Sequence, residues 1–346
     1  MTLRINLSHL ERLTDAHGIV EHAVGDVPQR DQGYCTDDSG RLLGLVAPYS
    51  DDPVCERLCW AALSFLGDAS DGVDGFRLRR LPGGAWTQDP PSDDATGRAL
   101  EGLGIAVATG IEPVARRAME IFNATLPWRS KYSRSMSHAV IGAANVLSFE
   151  ADHVGARRVM ENARDVLKPG DASRDWPWPE PRLDYSNALL IEAQLILASH
   201  FADEGRRDNA LALLEWLVAE ESHEGHFSFA PVGGRGPTGS KPGFDQQPIE
   251  AWSMASACTR AYALTGHSHW ARSVARCAAW FDGANDAGLA VGVPATGGGF
   301  DGLSATSVNT NQGAESTLAY LATTLLGQRV DSTLLGSGDQ HVPARS

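Results

Sequence analysis

The lengths of the links between helical runs constrain this chain more than any other feature. Apolar residues recur at helical spacing in eleven runs, which begin near Thr36, Pro53, Ser92, Glu112, Ser133, Asp152, Ser186, Arg206, Pro248, His269 and Glu315. The links from the first run to the second, the third to the fourth and the seventh to the eighth are short, whereas long loops precede runs one, five, seven, nine and eleven. A short link makes an antiparallel helical hairpin and a longer one steps to the next pair, so this alternation predicts a ring of hairpins. The expected fold is all-α: an (α/α)6 toroid with one helix of each pair inside and the long loops gathered on one rim. At most a small β-hairpin is expected, over residues 76–88 with its turn at Pro82-Gly-Gly84. Residues 1–326 would form this single domain, and residues 327–346 a polar, flexible C-terminal tail.

If alternate helices line the inside, their leading ends converge on the loop-bearing rim, which is where function belongs. The stretch Phe244-Asp-Gln-Gln-Pro-Ile-Glu-Ala-Trp252 illustrates the chemistry. Pro248 suits a first helical turn, so Asp245 and Gln247 stand just ahead of a helix start and Glu250 and Trp252 lie in its first turns. Free N–H groups at that end stabilise carboxylates. The other leading ends carry Tyr34, Asp37 and Asp38; Tyr132, Arg134 and His138; Trp176, Trp178, Glu180, Asp184 and Tyr185; and Asp301, Asn309, Gln312 and Glu315. Aromatic faces stack on the C–H faces of sugars while acids and amides bond their hydroxyls, so this mixture, with almost no lysine, predicts a carbohydrate pocket. Plain structural roles compete for many of these residues. Asp37 and Asp38 are good N-caps, and Asp184 opens a capping sequence. His138, alone in an apolar helix, fits a hydrogen-bonded core position better than a metal ligand. The Trp176/Trp178 loop could plug the ring rather than hold a sugar. Glu250 and Glu315 have the least ordinary settings, because apolar helix follows each directly.

The formal charge of −14 argues against nucleic acid or an anionic membrane surface as partner and leaves room for a neutral ligand. The five cysteines are odd in number. Cys55 and Cys59 share a helix face, but no second Cys or His pair of zinc-type spacing accompanies them, so buried thiols are expected and neither metal nor cofactor is assigned. The N-terminus lacks the apolar core of a signal peptide and no stretch approaches a membrane span, so a reduced, cytoplasmic setting is expected. Phosphate-binding glycine loops, His-Glu-x-x-His and Gly-x-Ser-x-Gly are absent.

His17-Gly-Ile-Val-Glu-His22, Gly33-Tyr-Cys-Thr-Asp-Asp38, the stretch from Phe244 to Trp252, and Asn311-Gln-Gly-Ala-Glu-Ser-Thr-Leu318 together resemble a bacterial family of six-hairpin glycosidase-like, (α/α)6-barrel domains. Such domains occur near or fused to glycosyltransferases, so the resemblance implies the toroid and a glycosyltransferase as partner. It brings no catalytic pair with it. A twelfth helix, short, irregular or drawn from the N-terminal segment, is needed to complete the ring. The leading expectation is a glycoside hydrolase of inverting mechanism, with Asp184 as an acid desolvated by the Trp-rich loop and Glu250 or Glu315 as base. Tyr34, Asp37, Asp38, Trp176, Trp178, Glu180, Tyr185, Asp245, Gln247, Trp252, Asn309 and Gln312 would bind the sugar. Two alternatives stand beside it. One is a non-catalytic glycan-binding or scaffold partner of a glycosyltransferase. The other is a sugar epimerase or isomerase, which would want a pair of pocket-facing histidines drawn from His22, His138 and His226. A lyase is disfavoured by the shortage of basic residues at the rim.

Overall fold

The computed structural model describes residues 5–171 and 174–337. Twelve helices lie among them: α1 (Ser8–Leu13), α2 (Thr36–Val46), α3 (Pro53–Ala69), α4 (Asp93–Thr109), α5 (Glu112–Thr125), α6 (Ser133–Phe149), α7 (Val154–Val166), α8 (Asn187–Phe201), α9 (Glu204–Glu220), α10 (Pro248–Thr265), α11 (Ser268–Phe281) and α12 (Ala314–Ser337). The inner ring is α2, α4, α6, α8, α10 and α12, each packed on the next, with α12 closing back onto α2. Helices α3, α5, α7, α9 and α11 each fold back outside their predecessor, and the short α1 packs on α12 as the twelfth member. This is the predicted (α/α)6 toroid.

Burial patterns explain which helices go inside. Every residue of α8 from Asn187 to Ala198 is buried, as befits a helix with neighbours on all sides. Outer α7 buries only Ala156, Val159, Met160 and Ala163, a single stripe at i, i+3, i+4 and i+7. Helix starts follow local chemistry. Asp52 accepts from the N–H groups of Val54 and Cys55, Ser92 from Ala95 and Asp203 from Arg206, while Pro53, Pro113 and Pro248 occupy first turns. Helices α2, α4 and α6 approach backbone to backbone. A Cβ on Gly104 would sit 2.2 Å from the Gly142 carbonyl oxygen, and one on Gly142 would sit 2.1 Å from that of Leu100.

Some details depart from expectation. Six two-residue antiparallel ladders are present among the described residues, where at most one small hairpin was expected. Residues 79–80 pair with Tyr34–Cys35, so the loop turning at Pro82-Gly-Gly84 is tied to the start of α2 by main-chain bonds that no local pattern reveals. Helix α12 continues to Ser337, past the expected helix end near Leu326, and residues 338–346 lie outside the described residues. All five cysteines are free and buried. None of the described helices is long and apolar enough to cross a membrane.

Candidate active site

The N-terminal ends of the inner helices do converge, and what they bring together is a lattice of carboxylates threaded by arginines. Arg41, on α2, is 4% exposed and bonds Asp38 at 2.6 Å and Glu315, from α12, at 2.5 Å, with Asp37 at 3.6 Å. Arg98, on α4, bonds Asp94 at 3.2 Å and the hydroxyl of Tyr185. Arg134, on α6, makes a two-pronged pair with Glu180 at 2.8 and 2.9 Å and donates to the Tyr185 carbonyl at 2.5 Å. Glu250, 3% exposed, reaches from α10 to the start of α8. There it accepts from the backbone N–H of Ser186, and from the backbone and side-chain N–H of Asn187 at 3.2 Å each. Burial pushes its carboxyl up to about 7, with those N–H groups opposing the rise. The expectation of a rim short of basic residues is therefore overturned. Of the three guanidiniums, Arg134 stands among the leading-end residues read from the sequence, whereas Arg41 and Arg98 lie within helical runs where nothing local marks Glu315 and Tyr185, the remote groups that meet them.

Other anticipated residues fall elsewhere. Asp184 is exposed, so the Trp-rich loop does not desolvate it. Trp178 is 4% exposed and stacks on Trp216 of outer helix α9. Trp176 meets the same indole edge-on at 5.1 Å and donates to the Glu180 carbonyl at 2.9 Å. That pair packs on outer helix α9, and neither indole lines the axial cavity. Tyr34 is buried and bonds Asp15 at 3.0 Å. Asp245 is exposed and accepts from Ser304 at 2.7 Å, and Asn309 is exposed. Gln247 stands at the N-cap of α10 and Gln312 is buried, its carbonyl accepting from His9 at 2.8 Å. Asp301 accepts from the N–H of Gly313 at 2.8 Å and braces the start of α12. Trp252 alone of the predicted aromatics lines the axial cavity.

That cavity, of about 760 Å³, opens among the later turns of the inner helices, between Tyr49, Thr109, Asn145, Arg260 and Leu326. Its deeper wall is formed by Arg41, Glu101, Glu192 and Trp252. A small recess beneath the rim lattice, bounded by Arg98 and His138, shares Glu101, Glu192 and Trp252 with it. Glu101 and His138 are joined at 2.5 Å through Oε2 and Nδ1, and the buried Nε2 of His138 has no partner among the described residues. Burial pushes Glu101 up to about 7, with Arg98 and Arg41 opposing and Asp94 adding. Burial likewise pushes Glu192 to about 7, opposed by Arg260 at 3.8 Å and reinforced by Glu101. His138 is held well below its ordinary value by burial and then by Arg98, both of which oppose charge on its imidazole. Two carboxyl groups poised near neutrality thus share one cavity. Neither was singled out from the sequence. The signal available was an acid in the middle of an apolar inner helix, most plainly Glu192 inside Leu-Leu-Ile-Glu-Ala-Gln-Leu-Ile.

No family model matches the chain, and no curated protein matches it in sequence. Solved structures do match in shape. A cellobiose 2-epimerase from Spirochaeta thermophila DSM 6192 superposes with a TM-score of 0.64 at 14% identity, over 92% of this chain and 91% of that one. The chain has the six-hairpin glycosidase-like fold. A D-mannose isomerase shares that fold with a TM-score of 0.66 at 10% identity, covering 94% of each chain. A cellulase of C. cellulolyticium in complex with cellobiose shares it at 0.59 and 8%, over 91% of this chain and 88% of that one. At such identities the likeness concerns the six-hairpin scaffold. The histidine pair anticipated for an epimerase is not assembled in this chain: His22 is over half exposed beside Glu21, and His226 bonds Asp286 away from the cavity.

Proposed function

We propose that this protein is a carbohydrate-active enzyme that rearranges a sugar by proton transfer, as an epimerase or isomerase, in its axial cavity. The observation that carries the reading is the placing of two buried carboxyls near neutrality, Glu101 and Glu192, beside the buried guanidiniums of Arg41 and Arg98. Removing the proton next to the carbonyl of an open-chain sugar leaves an enediolate, whose negative charge fixed cations stabilise. Cleaving a glycosidic bond instead builds positive charge on the ring, which the same cations oppose. In this scheme the ionised carboxylate takes the proton from carbon. The protonated partner returns one to the opposite face of that carbon, giving the epimer, or to the neighbouring carbon, giving the isomer, and the carbonyl is restored. His138 would hold Glu101 in place, Trp252 would offer a face for stacking, and the cavity is of a size for a mono- or disaccharide. Glu250 and Glu315 act as positioning groups, the first on the Ser186–Asn187 turn and the second on Arg41. The likeness of the scaffold to a cellobiose 2-epimerase and a D-mannose isomerase supports this choice.

A hydrolase is the second reading, favoured by the same two carboxyls taken as acid and base and by the cellulase among the structural neighbours. A neutral sugar as ligand fits the charge of −14, while a glycosyltransferase partner and a cytoplasmic setting rest on the sequence alone. Incubation with glucose, mannose and cellobiose in D2O, followed by proton NMR, separates the readings. We expect deuterium at the carbon next to the carbonyl together with the epimer or ketose, and a loss of about 100-fold or more in Glu101→Gln and in Glu192→Gln. New reducing ends without deuterium would establish hydrolysis. Sugar binding by calorimetry with neither product would leave a binding protein.

A further inference from the structure

Away from the ring axis, three side chains converge on one point. Ser222–His223 and His226–Phe227 form a tight hairpin whose two central residues, Glu224 and Gly225, have φ of 46° and 91°. Positive φ at both positions is what a two-residue turn needs if it is to match the strand twist. The register sets His223 directly opposite His226, so both imidazoles leave the same face of the hairpin. They meet Asp286 from the loop after α11: His223 Nδ1 lies 3.0 Å and His226 Nε2 2.9 Å from the same oxygen, Oδ1. The other oxygen, Oδ2, is held by the side-chain amide of Gln246 at 2.6 Å, in the segment that leads into α10.

The charge balance of this cluster sets it apart from an ordinary hydrogen-bonded group. The Asp286 side chain is 1% exposed, and among the described residues its recorded ion-pair contacts are the two imidazoles, with no guanidinium or ammonium. A carboxylate this buried is stable only where it is hydrogen-bonded and paired or bound to a cation, and an ion shared by all three side chains would supply that pairing. All three donor atoms lie within 4.8 Å of one another, and the two imidazole nitrogens stand 3.0 and 2.9 Å from the same carboxylate oxygen, close enough for a small adjustment to seat an ion about 2.0–2.2 Å from each donor. Two imidazole nitrogens and one carboxylate oxygen suit zinc and its first-row neighbours, whereas calcium and magnesium take oxygen donors. The Gln246 contact is the outer support that such a ligand carboxylate uses to hold its orientation. With the His223 side chain 32% exposed, solvent reaches the site on one side and can fill a fourth position.

We infer that His223, His226 and Asp286 bind a first-row divalent cation of the zinc class, tying the 222–227 hairpin to the loop after α11 and, through Gln246, to the start of α10. The test is calorimetric titration of Zn2+ into chelator-treated full-length protein at pH 7.5, repeated on Asp286→Asn and on the His223→Asn/His226→Asn double variant. One Zn2+ per chain is expected, weakened at least about 100-fold in both variants, a loss no smaller than removal of an outer-shell partner causes. Co2+ in place of Zn2+ should give a spectrum of nitrogen and oxygen donors without thiolate charge-transfer bands. The single variant His223→Asn, at the most exposed ligand, serves if the others fail to fold. Absence of Zn2+ binding by the wild type would overturn the assignment, as would variants that bind equally well or a thiolate signature.

Discussion

Replacing Glu192 by Gln should make the protein more stable in alkali and less active, and the size of the first effect follows from the structure. The Glu192 side chain is about 10% exposed, and its one recorded ionic contact is Arg260 at 3.8 Å. Burial raises its pKa from the ordinary 4.5 to about 7, against the pull of Arg260. For an acid whose folded-state pKa is raised, the favourable contribution is fully present below the unfolded value and is lost as pH climbs through the folded one. The distance from 4.5 to about 7 corresponds to roughly 3 kcal/mol, of which about 2 kcal/mol falls between pH 5.5 and 8.5. Gln cannot ionise and keeps nearly the same shape, so the stability difference between variant and wild type should move in the variant's favour by about 2 kcal/mol over that interval. Denaturant unfolding followed by the fluorescence of the nine tryptophans, at pH 5.5 and 8.5, measures it. A difference that stays constant across the two pH values would mean that the carboxyl titrates normally. The same constancy would follow if Arg260 outweighed burial and lowered the pKa, since the carboxyl would then be ionised at both pH values. Either case refutes the reasoning. A group that costs stability at its working pH is the kind kept for chemistry, so the same variant also enters the D2O assay.

Two further substitutions probe the fold and its assignment. Trp178→Ala should lower stability by about 3–5 kcal/mol, because a buried indole packed on Trp216 is removed, and should leave sugar affinity unchanged. A lost sugar affinity in a well-folded variant would return that loop to the binding surface. Gly142→Ala should cost about 2–3 kcal/mol by denaturant unfolding, since its new methyl meets the Leu100 carbonyl oxygen of a neighbouring inner helix. A variant as stable as the wild type would show that α4 and α6 can separate freely.

The ring of hairpins was legible because it depends on quantities that local sequence records: the 3.6-residue period and the length of each link. The twelfth helix stayed open among a short, an irregular and an N-terminal candidate, and the structure supplies the short α1 in the N-terminal segment. The convergence of Asp38, Glu250 and Glu315 on one rim followed from which helix ends face the same way. The polar interior was far less legible. In α8 every side is buried over Asn187–Ala198, so periodicity does not distinguish the face toward the axis from the face toward α9, and Glu192 carries no mark of where it points. Trp176 and Trp178 looked like a sugar platform because their loop is rich in proline. Only the position of Trp216, on another helix, turns them into packing on outer helix α9.

The amino-acid sequence by itself determined the helices, their pairing and the closed ring, since helix propensity, amphipathic period and link length act over short stretches of chain. Tertiary structure alone decided which acids are desolvated, which arginines lie beside them, and that His226 meets an aspartate 60 residues away. The reason is that a side chain's pKa and partners are set by whatever packs against it. In a toroid those neighbours come from helices remote along the chain, so no local pattern announces them.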